Sequence, residues 1–200
     1  MKRLMTLCVV VGLVAALACE DRVHAPTPTP EPTGAESPAE ALEAVELSFN
    51  ERGVKVLASA LSEDFVFYFD PHDVGQNPPR SSYVIPESWS YTEFWQVARN
   101  MFGQAYSINL SIPTGRVGTP GENETTYKAE KIPISLLVMV DELNGFIADN
   151  GYCNFEFERY EAAGKKYWRL TGWWDRTSEF FDEYPGVEPA SLGLVIASFR

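Results

Sequence analysis

The sequence predicts an α+β domain in which about three N-terminal helices pack on one face of an antiparallel sheet. Segments with helical periodicity come first along the chain, and segments that alternate apolar with polar residues follow them. No βαβ alternation and no internal repeat interrupts this order, which disfavours a parallel sheet. The 200 residues are 45% hydrophobic and 13% aromatic, which is enough for one domain with a substantial core.

Capping residues and apolar spacing predict the helices. Ser37-Pro38-Ala39-Glu40 has the form of a capping box, and apolar residues then recur on one helical face. A second, short helix is expected over Val54 to Leu61. Ser90-Tyr91-Thr92-Glu93 is another capping box, and it opens a third helix. The apolar positions of the first and third helices are Leu42, Val45 and Phe49, and Phe94, Val97, Ala98, Met101 and Phe102.

Alternation predicts the strands. They are expected at 62–70, at 108–112, from Tyr127 to Val140, around Cys153 to Phe157, and from Lys166 to Asp175. Asn144-Gly145 and Asn150-Gly151 are turn signals. Trp168, Trp173 and Trp174 cannot share one face of a regular strand. Either a bulge reconciles them, or one ring is exposed or lines a pocket mouth.

The remaining segments are expected to be irregular. Residues 70–89 contain four prolines and no periodicity, which predicts a long loop. Within it, the cluster Asp70-Pro71-His72-Asp73 is interpreted as solvated loop and not as a metal site. The tail, 176–200, is expected to be loop with a final helix or strand at 192–199.

These elements together resemble the nuclear transport factor 2-like, or SnoaL-like, superfamily. Residues 39–69 resemble its long first helix, short second helix and following strand, and Glu93 to Phe102 its third helix. Trp168-Arg169-Leu170 followed by Trp173-Trp174-Asp175 is similar to a common closing-strand pattern. The resemblance covers about residues 38–176. It implies a cone-shaped, curved sheet with a pocket between sheet and helices, in proteins that are enzymes, binding modules or homodimers.

The first residues predict an address in the bacterial cell envelope. Residues 1–18 have the basic start and apolar stretch of a signal peptide, too short for a membrane span. Ala16-Leu17-Ala18-Cys19 resembles a lipobox, which implies a mature chain acylated on Cys19 and held at a membrane, facing the periplasm or the exterior. Residues 19–37 are rich in proline and are expected to form a tether, followed by the domain at 38–200. The alternative is ordinary secretion, with a free thiol at Cys19.

Charge and cysteine content exclude several classes of function. The net charge is −12, and −14 once residues 1–18 are removed, without a basic stripe, so nucleic acid is not expected as a partner. The cysteines show no CxxC or Cys/His spacing, and His72 is the only histidine of the domain, so no metal and no cofactor are expected. Cys153 alternates with phenylalanines and is interpreted as a buried, inert thiol.

No set of base, nucleophile and orienting residue can be assembled from the sequence, so no catalytic residue is assigned. The favoured hypothesis is a non-enzymatic binding or interaction module of unknown ligand. One alternative is an enzyme of isomerase or hydrolase type that uses Asp70, Asp175 or a nearby tyrosine in the cone. The other is a structural module that forms a homodimer through its open sheet face.

If a ligand binds, the sequence places it inside the cone. Alternate residues of the late strands, with two aromatics one helical face apart on the third helix, are predicted to line the pocket. An aromatic, mostly uncharged lining favours an apolar small molecule. Arg159 is expected either at the cavity mouth or in solvent. The alternative for the lining residues is ordinary core packing. They are Trp95, Phe102, Phe155, Phe157, Trp168 and Leu170.

Overall fold

The computed structural model describes residues 34–79, 81–184 and 191–200. The predicted signal peptide, Cys19 and most of the predicted tether therefore lie outside the described residues. The last tether residues lie against the sheet, where the Trp168 amide donates to the Ala35 carbonyl at 2.8 Å. In the described part, no helix is both long and apolar enough to cross a membrane.

Three helices precede most of the sheet, as the sequence predicts. They are α1 (Pro38–Asn50), α2 (Val54–Ala60) and α3 (Tyr91–Gln104). The Ser37 side chain caps α1 by accepting from the Glu40 amide, but Glu40 in turn accepts from Glu36, one residue before the expected partner. The capping box of α3 forms as predicted, since the Ser90 amide donates to Glu93.

Six strands form one curved, unclosed sheet in the order β2-β1-β6-β5-β4-β3. The pair β1/β6 is parallel and the other pairs are antiparallel, so the predicted fold class holds and the sheet is mixed. The strands are β1 (Leu61–Tyr68), β2 (Ser88–Ser90), β3 (Ser107–Ser111), β4 (Thr126–Met139), β5 (Gly145–Ala162) and β6 (Lys165–Asp175).

Bulges give the two longest pairings their irregular register. Asn150, with φ of 60°, lies inside β5, so Asn150-Gly151 forms a bulge in one continuous strand and not the turn that the sequence predicted. In the β5/β6 pairing, another register shift lies between Glu156 and Phe157, which pair with Gly172 and Leu170 of β6. Trp168 and Trp173 therefore both face the core, while Trp174 stacks on Tyr68 on the other face at 4.7 Å. The bulge that the three tryptophans indicated as one alternative is present.

The tail adds structure that the sequence did not predict. Helix α4 (Thr177–Glu183) follows β6 directly, and α5 (Leu192–Ala197) occupies the predicted final element. The Ser178 amide of α4 donates to Asp70, which follows β1. This contact joins two segments that are 108 residues apart in the sequence.

Candidate functional site

The interior predicted to hold an apolar ligand is filled by packed side chains. Phe155 lies 5.4 Å from Trp173 between ring centroids, and Phe49 lies 5.3 Å from Phe102. Of the six predicted lining residues, five are buried in this core: Phe102, Phe155, Phe157, Trp168 and Leu170.

Trp95 is different, because it is half-buried on α3 with the Arg99 guanidinium over its ring. Arg159 lies over the Trp168 ring and donates to the Glu122 carbonyl, and it lines none of the three cavities described below. None of the six predicted residues lines the cavities described below. An apolar ligand in the cone stays a prediction, and it would have to displace these side chains.

An open cavity of about 400 Å³ lies instead at the ends of β1 and β6. One side is the loop that follows β1, and the other is formed by α4, α5 and the residue that precedes α5. We call it the acidic cavity. Its lining residues are Asp70, His72, Asp73, Gln76, Thr177, Ser178, Phe181, Asp182, Ser191 and Leu194.

Asp175, the last residue of β6, is fully buried behind this cavity and binds the tail to the sheet. Its Oδ1 accepts from the amide and hydroxyl of Thr177 at 3.0 and 2.6 Å. Its Oδ2 accepts from the Ser191 hydroxyl at 2.8 Å and the Gly193 amide at 2.7 Å. Burial raises the pKa of Asp175, and these hydrogen bonds act in the opposite direction. Since both oxygens are occupied, Asp175 acts as a structural clamp.

Asp70 ties the loop to α4 in a similar way. Its Oδ1 accepts from the His72 amide at 2.9 Å, a local turn typical of aspartate, and its Oδ2 accepts from the Ser178 amide at 2.7 Å. The His72 ring lies close by, with Nδ1 3.3 Å from Oδ1, but its side chain is 80% exposed. His72 is thus on the solvated rim as predicted, whereas Asp70 is buried.

Asp73 differs from both neighbours because its carboxylate is incompletely satisfied. The residue is only 5% exposed, and its Oδ2 is sealed from solvent without a hydrogen-bond partner. Burial raises the pKa of Asp73 from 3.8 to about 6; the nearby Ser191 hydroxyl opposes this rise, and the charges of Asp175 and Asp70 add to it. A buried carboxyl that titrates near neutral pH beside a cavity is typical of functional sites.

The sequence placed Asp70 and Asp175 at strand ends but did not predict that they would form one buried cluster with Asp73. The solvated-loop interpretation of residues 70–73 is correct for His72 and wrong for the two aspartates, because the tail folds over them. No group of three or more His, Cys, Asp or Glu residues among those the structure describes is arranged to hold a metal ion. Cys153 is buried as predicted, and burial raises the pKa of its thiol well above the usual value.

Two further cavities lie elsewhere on the domain. One of about 390 Å³ borders the stacked pair Tyr68 and Trp174 and includes Arg176. The other, of about 260 Å³, lies near Asn150 and Phe180. Neither contains a buried carboxylate among its described lining residues, so the acidic cavity is the stronger candidate site.

The helices, the curved sheet and their packing define a nuclear transport factor 2-like fold. No protein-family model and no curated protein match the chain. Among solved structures, a candidate aromatic ring hydroxylase from Novosphingobium aromaticivorans is 11% identical, with a TM-score of 0.50 over 79% of this chain and 92% of its own. The Kfla4162 protein from Kribbella flavida is also 11% identical, with a TM-score of 0.50 over 80% and 93%.

A third match is a nuclear transport factor 2-like protein of unknown function in nutrient uptake from Rhodospirillum rubrum. It is 12% identical, with a TM-score of 0.45 over 70% of this chain and 96% of its own. The structural neighbours thus include a candidate enzyme and a protein of unknown function. At these identities the likeness concerns the fold alone, because one fold serves many functions.

Proposed function

We propose that this protein is a lipid-anchored protein of the bacterial cell envelope whose domain binds a small molecule in the acidic cavity. The observation that carries the proposal is Asp73, a buried carboxylate with one unpartnered oxygen, in the wall of a cavity of about 400 Å³. Ligand sites commonly have volumes of about 300–1,000 Å³ and a few polar groups in a partly apolar wall. Phe181 and Leu194 supply the apolar part here.

Binding is favoured over catalysis by the state of the carboxylates. Both oxygens of Asp70 and of Asp175 already accept hydrogen bonds that hold loop and tail together. A general base needs a free oxygen within reach of its substrate. The two aspartates that the sequence offered as catalytic candidates are therefore better explained as structural residues.

An enzyme of isomerase or hydrolase type is the second candidate, and one observation favours it. With its pKa raised to about 6, Asp73 would exchange protons near neutral pH, as a general acid or base must. The His72 ring stands on the rim of the same cavity. Turnover of a cavity ligand that is lost in Asp73→Asn, together with a pH–rate profile that loses its inflection near 6, would support the enzyme over the binding module.

The homodimer remains the third candidate. Leu137 and Ile147 are neighbours in the β4/β5 register and are 38% and 55% exposed. An adjacent pair of exposed aliphatic side chains fits a contact between subunits. Sedimentation of the protein and of Leu137→Glu decides this point: a dimer should dissociate in the variant, and a monomer at all concentrations contradicts the idea.

The anchor is tested by fractionation. We expect Cys19→Ala to move the protein from the membrane to the soluble fraction, because acyl chains contribute about 0.8 kcal/mol per buried methylene. Cys8→Ala is the matched control, since Cys8 lies within the predicted signal peptide and should not alter anchoring. Membrane attachment of Cys19→Ala, with no lipid-dependent mass on the wild-type protein, would contradict the proposal.

Ligand binding is tested by a thermal-shift screen of small molecules against the full chain in detergent. A ligand of the acidic cavity should raise the melting temperature with concentration, and Asp73→Asn should reduce that rise. Asp64→Asn is the control, because Asp64 is an exposed aspartate on β1 that does not line the cavity. Hits that bind both variants alike would place the ligand elsewhere and overturn the proposed site.

A further inference from the structure

We propose that the ligand of the acidic cavity is an organic cation, a protonated amine whose carbon skeleton packs on Phe181 and Leu194. This inference rests on the proposed function and names the chemical class of its ligand. Three features of the cavity support it: its charge, the direction of its hydrogen bonds, and the unsatisfied oxygen of Asp73.

Carboxylates lie on the loop side, on the α4 side and behind the cavity. Asp70 and Asp73 line it from the loop, Asp182 lines it from α4, and Asp175 lies behind it at the end of β6. Among the described lining residues the only basic group is His72, with no lysine or arginine. Such a field attracts cations and repels anions, in line with the net charge of −12 of the whole chain.

The hydrogen-bond donors of the lining are largely engaged within the protein. The Thr177 and Ser191 hydroxyls both donate to Asp175, and the Ser178 amide donates to Asp70. The Gln76 side-chain amide donates to the His72 carbonyl. These groups keep acceptor capacity, in hydroxyl lone pairs and the amide oxygen of Gln76. A lining of this kind favours a ligand that brings donors, and an ammonium group brings up to three.

The missing hydrogen-bond partner of the Asp73 carboxylate indicates where the cation would bind. A buried carboxylate without a full set of partners is unfavourable when ionised, and a neighbouring positive charge removes much of that penalty. Because Asp70 and Asp175 are already held by donors, Asp73 is the carboxylate of this cluster that gains most from an added cation. The amine is therefore expected to lie against Asp73, with its skeleton toward α4 and α5.

The test compares three probes of similar shape on the full chain in detergent: 2-phenylethylamine, 2-phenylethanol and 3-phenylpropanoate. At pH 7.5 we expect the amine to bind at least about tenfold more tightly than the alcohol, and the carboxylate not to bind. Asp73→Asn should reduce amine affinity at least about tenfold and weaken alcohol binding only slightly, by about two- to threefold. Asp64→Asn should change neither.

The pH dependence gives a second readout. Amine affinity should fall about tenfold from pH 7.5 to 5 as Asp73 takes up its proton, while the alcohol should show no such fall. The titratable groups that act on Asp73 are Asp175, Asp70 and His72, and Asp182 lines the same cavity from α4. A positive charge on His72 would also repel the amine, so the fall must persist in His72→Gln.

The outcomes separate this inference from the proposed function. If the alcohol binds as tightly as the amine, and Asp73 matters only as a contact, the proposal of a small-molecule site stands and the proposal that the ligand is a cation fails. Saturable binding of the carboxylate in preference to the amine would do the same. No saturable binding of any cavity-sized molecule, in this series and in the screen above, would overturn both.

Discussion

Replacing Asp73 with asparagine should make the protein more stable at neutral pH, even though it removes a hydrogen-bonding group from the wall of the cavity. Burial raises the pKa of this carboxyl from 3.8 to about 6. The folded state therefore binds the Asp73 proton more tightly than the unfolded state does. The stability that this preference contributes is present below pH 3.8 and is lost as the pH rises through about 6.

The size of the effect follows from the same numbers. Each tenfold change in proton affinity is worth about 1.4 kcal/mol, so a rise in pKa from 3.8 to about 6 corresponds to about 3 kcal/mol. An asparagine at this site is neutral at every pH and avoids that penalty. The buried amide of asparagine lacks a full set of hydrogen-bond partners, and this cost reduces the gain in the free energy of unfolding by about 1 kcal/mol. We expect Asp73→Asn to raise the free energy of unfolding by about 2 kcal/mol at pH 7.5 and to leave it nearly unchanged at pH 4.

The assay is urea unfolding at both pH values, followed by the fluorescence of the five tryptophans, of which Trp89 and Trp173 are fully buried. The difference between variant and wild type isolates Asp73, since the other titrating groups are common to both. Asp64→Asn, at an exposed position of β1, should show no such difference between the two pH values. A variant that is less stable than wild type at pH 7.5, or that gains equally at both pH values, would refute the reasoning.

Two further predictions concern residues that the fold itself needs. Asp175→Asn should lower the free energy of unfolding by about 2–4 kcal/mol, because an amide nitrogen cannot accept the hydrogen bonds that one carboxylate oxygen now receives. Denaturant unfolding measures this loss, and a loss below about 1 kcal/mol would contradict the structural role of Asp175. Phe155→Ala should cost about 3–5 kcal/mol, as truncation of a fully packed aromatic does, and a nearly neutral effect would indicate that Phe155 lines an open pocket.

Local sequence signals predicted the elements that local interactions stabilise. The capping box at Ser90 and the apolar spacing behind it placed α3 within a residue or two. The conflict among Trp168, Trp173 and Trp174 indicated a bulge or a ring at a surface or pocket mouth; the β5/β6 register contains the bulge, and Trp174 also lines a cavity. The parallel pairing of β1 with β6 was not predicted, because those strands are about a hundred residues apart and alternation does not encode a partner. The Asn150-Gly151 pair was misassigned for a similar reason. Residues that favour a positive φ occur in bulges as well as in turns, so the local sequence could not tell the two apart.

The candidate site was predicted only in part, and for a related reason. Asp70 and Asp175 were placed at strand ends, but a strand end says nothing about what covers it. Helix α4 and Ser191 line the cavity opposite the loop after β1, where Asp73 is buried and not solvated. The predicted aromatic lining had the opposite outcome. The aromatic side chains that were expected to line a cavity pack against one another and fill the core.

The contrast between Asp175 and Asp73 is the strongest physical argument for a ligand. The two carboxylates are buried in the same cluster, yet Asp175 accepts four hydrogen bonds and Asp73 keeps an unpartnered oxygen. The first arrangement explains itself, because it joins the tail to the sheet. The second weakens the fold at neutral pH and supports no element that an asparagine would not support equally well. A group that lowers stability and supports no neighbouring element is expected where binding requires it. If Asp73→Asn is both more stable at neutral pH and unable to bind the amine, Asp73 is retained for binding and not for folding.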